Sequence, residues 1–595
     1  LPSDAIPNII ILSAKEQSMT KNYVSSLRAK STVALATAVL SSCLPLRNQG
    51  QDSELEANFE LKTTRGRETK FFTSPSGQKE ICVLPKPFPG VRYDNSDPSS
   101  EEELCSADFY KVPGDDRPGT AVALCPKMSS TFPGVELYDL KKLDKTKYET
   151  ALCKDQDNRP TSRIAKFKQS ISCSYTGSIL GYYHLSRILG GAGMVPNAMV
   201  RTMDRSAHLK IAERGATWST GLNATLWNQV KNMDLTSNFN DNFTTADNKQ
   251  VYGALSDNPS NELRYAEINF NSQDGATAKA RFLQTAPVRN VLNPATAGSI
   301  VARDFGKAAP VLQQMRDMGE LILMDYIFQQ QDRFGNIHSK FYWFWLNEEG
   351  KMERDKIKLD ANEKPILSNK PNPNAAVVKK LLLKDNDCGS RAGHPKAFVL
   401  ADLAQVRHMH PRTYKGIRYL AKQWQAGVAK PYFEKEALLN TPDTFGREGI
   451  AEFGKRVLAA SDQLTANCKS GKLLLDLDIT SHIKNTSEKN CDAMLEPTDT
   501  PATEEPRTPP APPREAQIEI VGPTFIKKKL KDSSLLEEAD KCFLSKGAKL
   551  QGFWENAGGG HLKVEINNFP TDLCPACFSD STKTYYLFER HTKID

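Results

Sequence analysis

Apart from its N-terminal region, the chain lacks any run of the roughly 20 apolar residues that a membrane-crossing helix needs. No membrane-crossing helix is therefore expected there. It has no GxSxG nucleophile elbow and no HExxH pair, so a serine hydrolase or a zincin-type hydrolase has nothing to work with. One CxxC occurs, Cys574 to Cys577, without a second to complete a zinc set; a disulfide or free thiols fit it better. His408 and His410 stand two apart, a spacing that suits a strand and not one helix face, and they do not suggest a metal. A strong charge of one sign is also missing. The net charge of +7 arises from 78 basic and 71 acidic residues, too mild a bias to argue for nucleic acid.

What is present is length and sulfur. At 595 residues and 39% hydrophobic, the chain can build more than one core, and two to four domains are expected. Twelve cysteines are scattered along it, and in an oxidising compartment many of them would pair. Export is suggested by residues 19–43. Lys21, Arg28 and Lys30 precede a short run of small and apolar residues from Ser31 to Leu40, and "LSSC" closes at Cys43. This order resembles the lipobox of bacterial lipoproteins, which implies acylation of Cys43, a lipid anchor to the membrane and a place in the bacterial cell envelope, periplasmic or at the surface. Residues 1–18 read as upstream residues outside the signal peptide.

The organisation expected is 1–43 as upstream residues plus signal peptide, 44–69 as a polar tether, and 70–150 as a Cys-containing β-rich region. A mixed domain follows over 151–490, then a Pro-rich linker at 491–516 and a small β module at 517–595, which resembles bacterial SH3-like domains and could bind cell wall. "FPGV" followed by Tyr-Asp occurs after both Cys82 and Cys125, either as a weak duplication or as two similar turns. Val311, Met315, Met318, Ile322 and Tyr326 fall at helical spacing, with Pro310 placed in the first turn. "RIAKFKQ", "SKFYWFWLN" and "AVVKKLLLKDND" read as strands.

Phosphoryl transfer needs a Lys on the phosphates, a carboxylate beside the attacking hydroxyl, and an acid and an amide on the metal. These groups occur in a workable order. Lys166 and Lys168 lie on a strand, a helix and a Gly-rich stop follow, and a long apolar helix leads into "QQQDRFGN" before "LLLKDNDCG". Alone, Asp332 and Arg333 read as a helix end with Gly335 as its cap, and "KDND" as an Asx turn.

As an ordered set, "FKQ…YYHLSRILG…MDYIFQQQDRFGN…LKDND" resembles the atypical kinases of the Golgi casein kinase and HipA type, over residues 160–430. The resemblance implies an α+β fold: a bilobal kinase-like domain, with the β-rich region before it and the SH3-like module after it. It implies ATP with Mg²⁺ or Mn²⁺ as cofactors. Lys168, with Lys166 as fallback, would hold the phosphates. Asp332 would accept the proton of a hydroxyl on a protein, sugar or lipid. Asp385, with Asp387 as its alternative, and Asn336 would hold the metal.

Three features depart from that pattern. Ile179 stands where an acid would pair the Lys, Asn336 follows Asp332 by four residues, and 347–374 reads as an insertion. No glycine-rich loop is visible before Lys168. The expectation is a phosphotransferase of the cell envelope. The alternative is a non-catalytic pseudokinase scaffold that binds cell wall or a protein partner.

Overall fold

The computed structural model describes residues 66–128, 132–156, 158–236, 243–270, 275–360, 362–390, 402–439, 449–496, 514–522, 524–527, 541–558, 561–566, 584–588 and 591–594. Cys43, Cys574, Cys577, residues 1–65 and most of the Pro-rich stretch lie outside them.

The fold is mixed α and β. Eight strands share one sheet: β1 (Glu68–Thr73), β2 (Lys79–Leu84), β3 (Ala107–Asp108), β4 (Thr120–Pro126), β5 (Val135–Asp139), β6 (Arg163–Gln169), β7 (Ala198–Asp204) and β8 (Gln250–Asp257). Their order is β1-β2-β7-β8-β6-β5-β4-β3. The expected boundary at 150 therefore does not divide the structure. β5 pairs antiparallel with β6, Val135 opposite Phe167, and β2 pairs with β7, Cys82 opposite Arg201. Strands before and after residue 150 need each other's edges to satisfy their backbone groups. Of the expected tether at 44–69, residues 44–65 lie outside the described residues, and from 66 on the chain is packed: Gly66 donates its N–H to Glu436 Oε1 at 2.8 Å and Glu68 opens β1.

The two "FPGV" stretches are similar turns and not copies of one unit. Val135 opens β5, whereas Val91 lies in a loop without strand pairing. Cys82 bonds Cys105, Cys125 bonds Cys153, Cys173 bonds Cys388 and Cys468 bonds Cys491. Such pairs are compatible with an oxidising location.

Helix α1 (Asp97–Cys105) packs beside β2, and helix α2 (Thr176–Ile188) connects β6 to β7 with all of its residues buried. Helix α3 (Phe305–Phe328) is the axis of the second half. It is buried on nearly every side, as expected of a central helix and not a surface one. It begins earlier than its apolar pattern suggests, because Asp304 caps it by accepting from Lys307 N. Pro310 therefore sits in the second turn instead of the first. α3 ends at Phe328 because Gln329 turns left-handed at φ 49°, its N–H returning to Asp325 O. Gly335, expected as the cap, instead sits at φ 89° inside the following loop.

Beyond α3, β9 (Leu263–Arg264), β10 (His338–Leu346), β11 (Met352–Lys356) and β12 (Ala376–Leu382) form a small antiparallel sheet. The expected insertion at 347–374 thus supplies β11 and the loop to β12. Helix α4 (Pro411–Gln425) packs on helix α5 (Ile450–Lys469), which also packs on α3. His408 is extended chain: its Nδ1 meets Asp476 Oδ1 and its Nε2 meets Asn293 O, both at 2.8 Å. His410 caps α4.

Of the expected linker at 491–516, residues 497–513 lie outside the described residues, and its first residue is packed against the fold. Cys491 is tied to Cys468, and its carbonyl accepts from Tyr414 and Arg418. Among the described residues, the C-terminal region has strands β13 (Arg514–Ile520), β14 (Thr524–Lys527), β15 (Lys541–Leu544), β16 (Lys549–Gly558), β17 (His561–Ile566), β18 (Thr584–Phe588) and β19 (Thr592–Ile594) in one sheet. Ile518, Ile526, Leu550, Val564 and Leu587 form its core.

Candidate functional site

Alternation along β6 sends Lys166 and Lys168 to the same side, two residues apart. Both are buried, at 8% and 5% exposure. They face the loop after β12. Lys168 Nζ lies 2.9 Å from Asp387 Oδ2 and 3.7 Å from Asp385 Oδ1, and Lys166 Nζ is 3.7 Å from the same Asp385 oxygen. The missing acid at Ile179 is thereby answered. The ammonium of Lys168 takes its counter-charge from the Asp385–Asp387 loop, not from α2. The helix contributes differently: Ser178 Oγ donates to Asn386 O at 2.6 Å, and Tyr175 N donates to Asp387 O at 2.8 Å.

Asp332 joins the cluster through its charge. Burial, then Asp387 and Asp385, push its carboxyl up to about 6. Burial opposes the charge on Asp385 too, yet Lys166, Lys168 and Lys127 hold that carboxyl well below the usual carboxylate range. For Lys168, burial is outweighed by Asp387 and Asp385, and the ammonium is held above its ordinary value. The site thus contains two aspartates fixed as anions beside one poised near neutrality. Environments that separate the pKa values of neighbouring carboxyls are the usual means of assigning distinct roles to them.

Asn336 is on the Asp332 loop, but its side-chain amide donates to Asp332 O at 2.9 Å and makes no hydrogen bond to Asp385 or Asp387. In this arrangement it shapes the loop.

Three features that build the site escaped the sequence reading. Arg333, fully buried, makes a fork onto Asp325, Nε to Oδ2 at 2.8 Å and Nη2 to Oδ1 at 2.9 Å. It also reaches Asn386 Oδ1 at 2.8 Å and Lys384 O at 3.3 Å. One guanidinium therefore pins the end of α3 and the Asp332 loop to the Asp385 loop, using the bidentate geometry only Arg offers. The signal was an aspartate inside an apolar run, "LILMDYIF". Next, the Cys173–Cys388 disulfide ties the turn after β6 to the residue following Asp387. Last, Lys127 at the end of β4 is pushed down to about 7 by burial and by the charge of Lys168. Gly134 belongs to the same hairpin, and a Cβ there would stand 3.2 Å from Lys168 Cγ. The hairpin thus lies against the lysine, although its sequence is not glycine-rich.

Asp385 adopts φ 54°, and Ser172, Gln329 and Ser390 nearby in the chain order of the site are also left-handed. For non-glycine residues this conformation is uncommon, and it concentrates where side chains are aimed for function.

The donor chemistry fits a divalent cation with phosphates: hard carboxylate oxygens for the metal and ammonium groups for the anion. Asp385 and Asp387 would hold the metal, and Lys168 and Lys166 the phosphates. The cleft between them has a volume of only about 30 Å³, room for water and not for a nucleotide. Binding would require it to open.

No family model matches the chain, and no curated protein matches it. Among solved structures, one described as "Crystal structure of the golgi casein kinase" aligns over 75% of this chain and 96% of that chain, with 10% sequence identity and a TM-score of 0.32. A likeness that loose carries no argument here.

Proposed function

We propose that the chain is a kinase-like phosphotransferase that moves the γ-phosphoryl of ATP to a hydroxyl, with Mg²⁺ or Mn²⁺ at Asp385 and Asp387. The observation that carries this reading is the convergence of Lys168, Asp385, Asp387 and Asp332, separated by up to 219 residues in sequence, on one buried cluster. The order of elements supports it as well: three antiparallel strands with the Lys on the third, a buried helix, two more strands, then a long helix leading into the Asp332 loop.

In this reading Lys168 orients the phosphates, and Lys166 and Lys127 add positive charge along them. Asp332 takes the proton of the acceptor hydroxyl. Arg333 acts on the chemistry only through position, by holding the two loops together. The metal, when bound, would neutralise charge developing on the phosphoryl oxygens.

The alternative reading, a pseudokinase scaffold, is favoured by the closed cleft. Both readings are separated by incubating the protein with labelled ATP and Mg²⁺ or Mn²⁺. Label transfer or hydrolysis that disappears in Asp332→Ala supports the enzyme. Absence of metal-dependent nucleotide binding sinks it.

The lipid anchor at Cys43, the envelope location, an SH3-like identity for 517–595 and cell-wall binding by that module belong to the same proposal. Mass spectrometry of residue 43 and a peptidoglycan pull-down test them.

A further inference from the structure

A second cavity, about 970 Å³ in volume, opens beside the cleft, from which Val195, Pro196, Asp257 and Pro259 separate it. Its walls come from α3, from the sheet formed by β10, β11 and β12, and from the loops before α1 and α4. Besides Arg187, held by Asp97, and Arg92, bonded to Asn95, they carry Arg316, Lys340, Arg354, Lys356, Lys380 and Arg412. Lys380 is the deepest, at 6% exposure. Arg316 and Lys340 are half-buried, and Arg354, Lys356 and Arg412 are exposed around the mouth.

The acids in the same walls do not neutralise these groups. Asp97 is occupied by the buried fork of Arg187. Asp478 caps its own helix through Ser481 N and faces His410. Asp94 accepts from Ser96 and stands 3.9 Å from Arg354. Asp257 faces Lys340 and Lys356 without forming an ion pair, and burial raises its carboxyl. Behind the wall, Glu320 is taken by Arg316 Nε at 2.6 Å, by Gly193 N and by Thr413. Asp317 accepts from Leu381 N and Gln313. Among the described residues, the side chains of Lys340, Lys356, Lys380 and Arg412 make no hydrogen bond and no ion pair.

A buried ammonium without a carboxylate is costly, and several cations converging on one concavity raise that cost. Burial and the charges of Arg354 and Arg316 push the Lys380 ammonium down, against the nearby charges of Glu320 and Asp317, neither of which ion-pairs with it. Space is kept for these groups by the backbone: Gly190, at φ 80°, has no side chain where the stem of Arg412 passes, 2.6 Å from where a Cβ would stand. The stretch that reads in sequence as an insertion, 347–374, supplies Arg354 and Lys356 to the mouth.

We infer that this cavity binds a small molecule bearing several phosphate or sulfate esters, at a site distinct from the Lys168 cleft. Its size suits a ligand of several charged groups. The depth-graded cations would draw such a ligand in and desolvate only its innermost ester, at Lys380.

The test is calorimetric titration of the whole protein with inositol hexakisphosphate and, separately, with a sulfated heparin hexasaccharide, at about 0.1 M salt. Three proteins are compared: wild type, Lys340→Ala/Lys356→Ala and Lys168→Met. The two cavity lysines have no partner to lose, so the double variant should fold. Expected is binding to wild type, weakened about tenfold or more in the double variant and unchanged in Lys168→Met. Binding of the phosphate probe alone, or of the sulfate probe alone, identifies the ester while supporting the site. No binding of either probe overturns the inference. So does equal affinity in the double variant, and so does loss of binding in Lys168→Met, which would place the ligand in the cleft.

Discussion

Asp332 is expected to destabilise the protein that it serves. Burial and the neighbouring Asp387 and Asp385 raise its carboxyl from the ordinary 3.8 to about 6. A carboxyl raised on folding holds its proton more tightly in the folded state. It therefore favours folding below its unfolded pKa, and that advantage is lost as pH rises from about 4 through about 6. The difference, some two pH units at 1.36 kcal/mol each, amounts to about 3 kcal/mol as an upper figure. Partial solvent access trims it. Asn at this position has the same shape and no charge to desolvate. Asp332→Asn should thus match the wild type near pH 4 and be more stable by about 1–3 kcal/mol at pH 8, while losing phosphoryl transfer. Urea unfolding followed by tryptophan fluorescence at pH 4, 6 and 8, without divalent cations, reads this directly. If Asp332→Asn is less stable than the wild type at pH 8, or if the gap is the same at pH 4 and pH 8, then the carboxylate cluster is not arranged as described.

The same charges predict that Mg²⁺ affinity rises with pH between about 5 and 7, because cation binding expels the Asp332 proton; titration at three pH values would check this, and a flat response would contradict it. Arg333→Met leaves Asp325 buried without its partner and should cost about 3–5 kcal/mol. Adding Asp325→Leu to that variant should recover part of the loss, as measured by a double-mutant cycle. Replacing Cys173 and Cys388 by Ala opens a loop of 215 residues and should cost at most about 5 kcal/mol, with faster hydrogen exchange at residues 384–390. Ile179→Glu places a third acid at a lysine already paired, so nucleotide affinity should fall rather than rise in a fluorescence binding assay.

The local elements were largely legible in the chain. β6 covers "RIAKFKQ" residue for residue, because alternation and β-branching act within a few neighbours. The ends of α3 were less so. Its start depends on one capping aspartate outside the apolar pattern, and its stop depends on a backbone turn at Gln329 that no residue preference announces. The boundary at residue 150 was misplaced for a further reason. Strand pairing is a long-range choice, and nothing in 70–150 shows that β5 will lie beside β6.

By itself, then, the sequence determined the order of the candidate site residues: Lys166 and Lys168 on a strand, Asp332 after a long apolar helix, Asp385 and Asp387 after a later strand. It also determined a long helix there, since Val311, Met315, Met318, Ile322 and Tyr326 fall at helical spacing. Only the tertiary structure decided that Asp385 and Asp387, not a residue of α2, supply the counter-charge for Lys168. Only it decided that Arg333 joins two loops, and that Lys340, Lys356, Lys380 and Arg412, without ion-pair partners among the described residues, line a second cavity. The physical reason is the same in each case. Coulomb interactions and buried hydrogen bonds act over a few ångströms of space, and residues 219 apart in the chain, such as Lys168 and Asp387, acquire that proximity only when the fold closes.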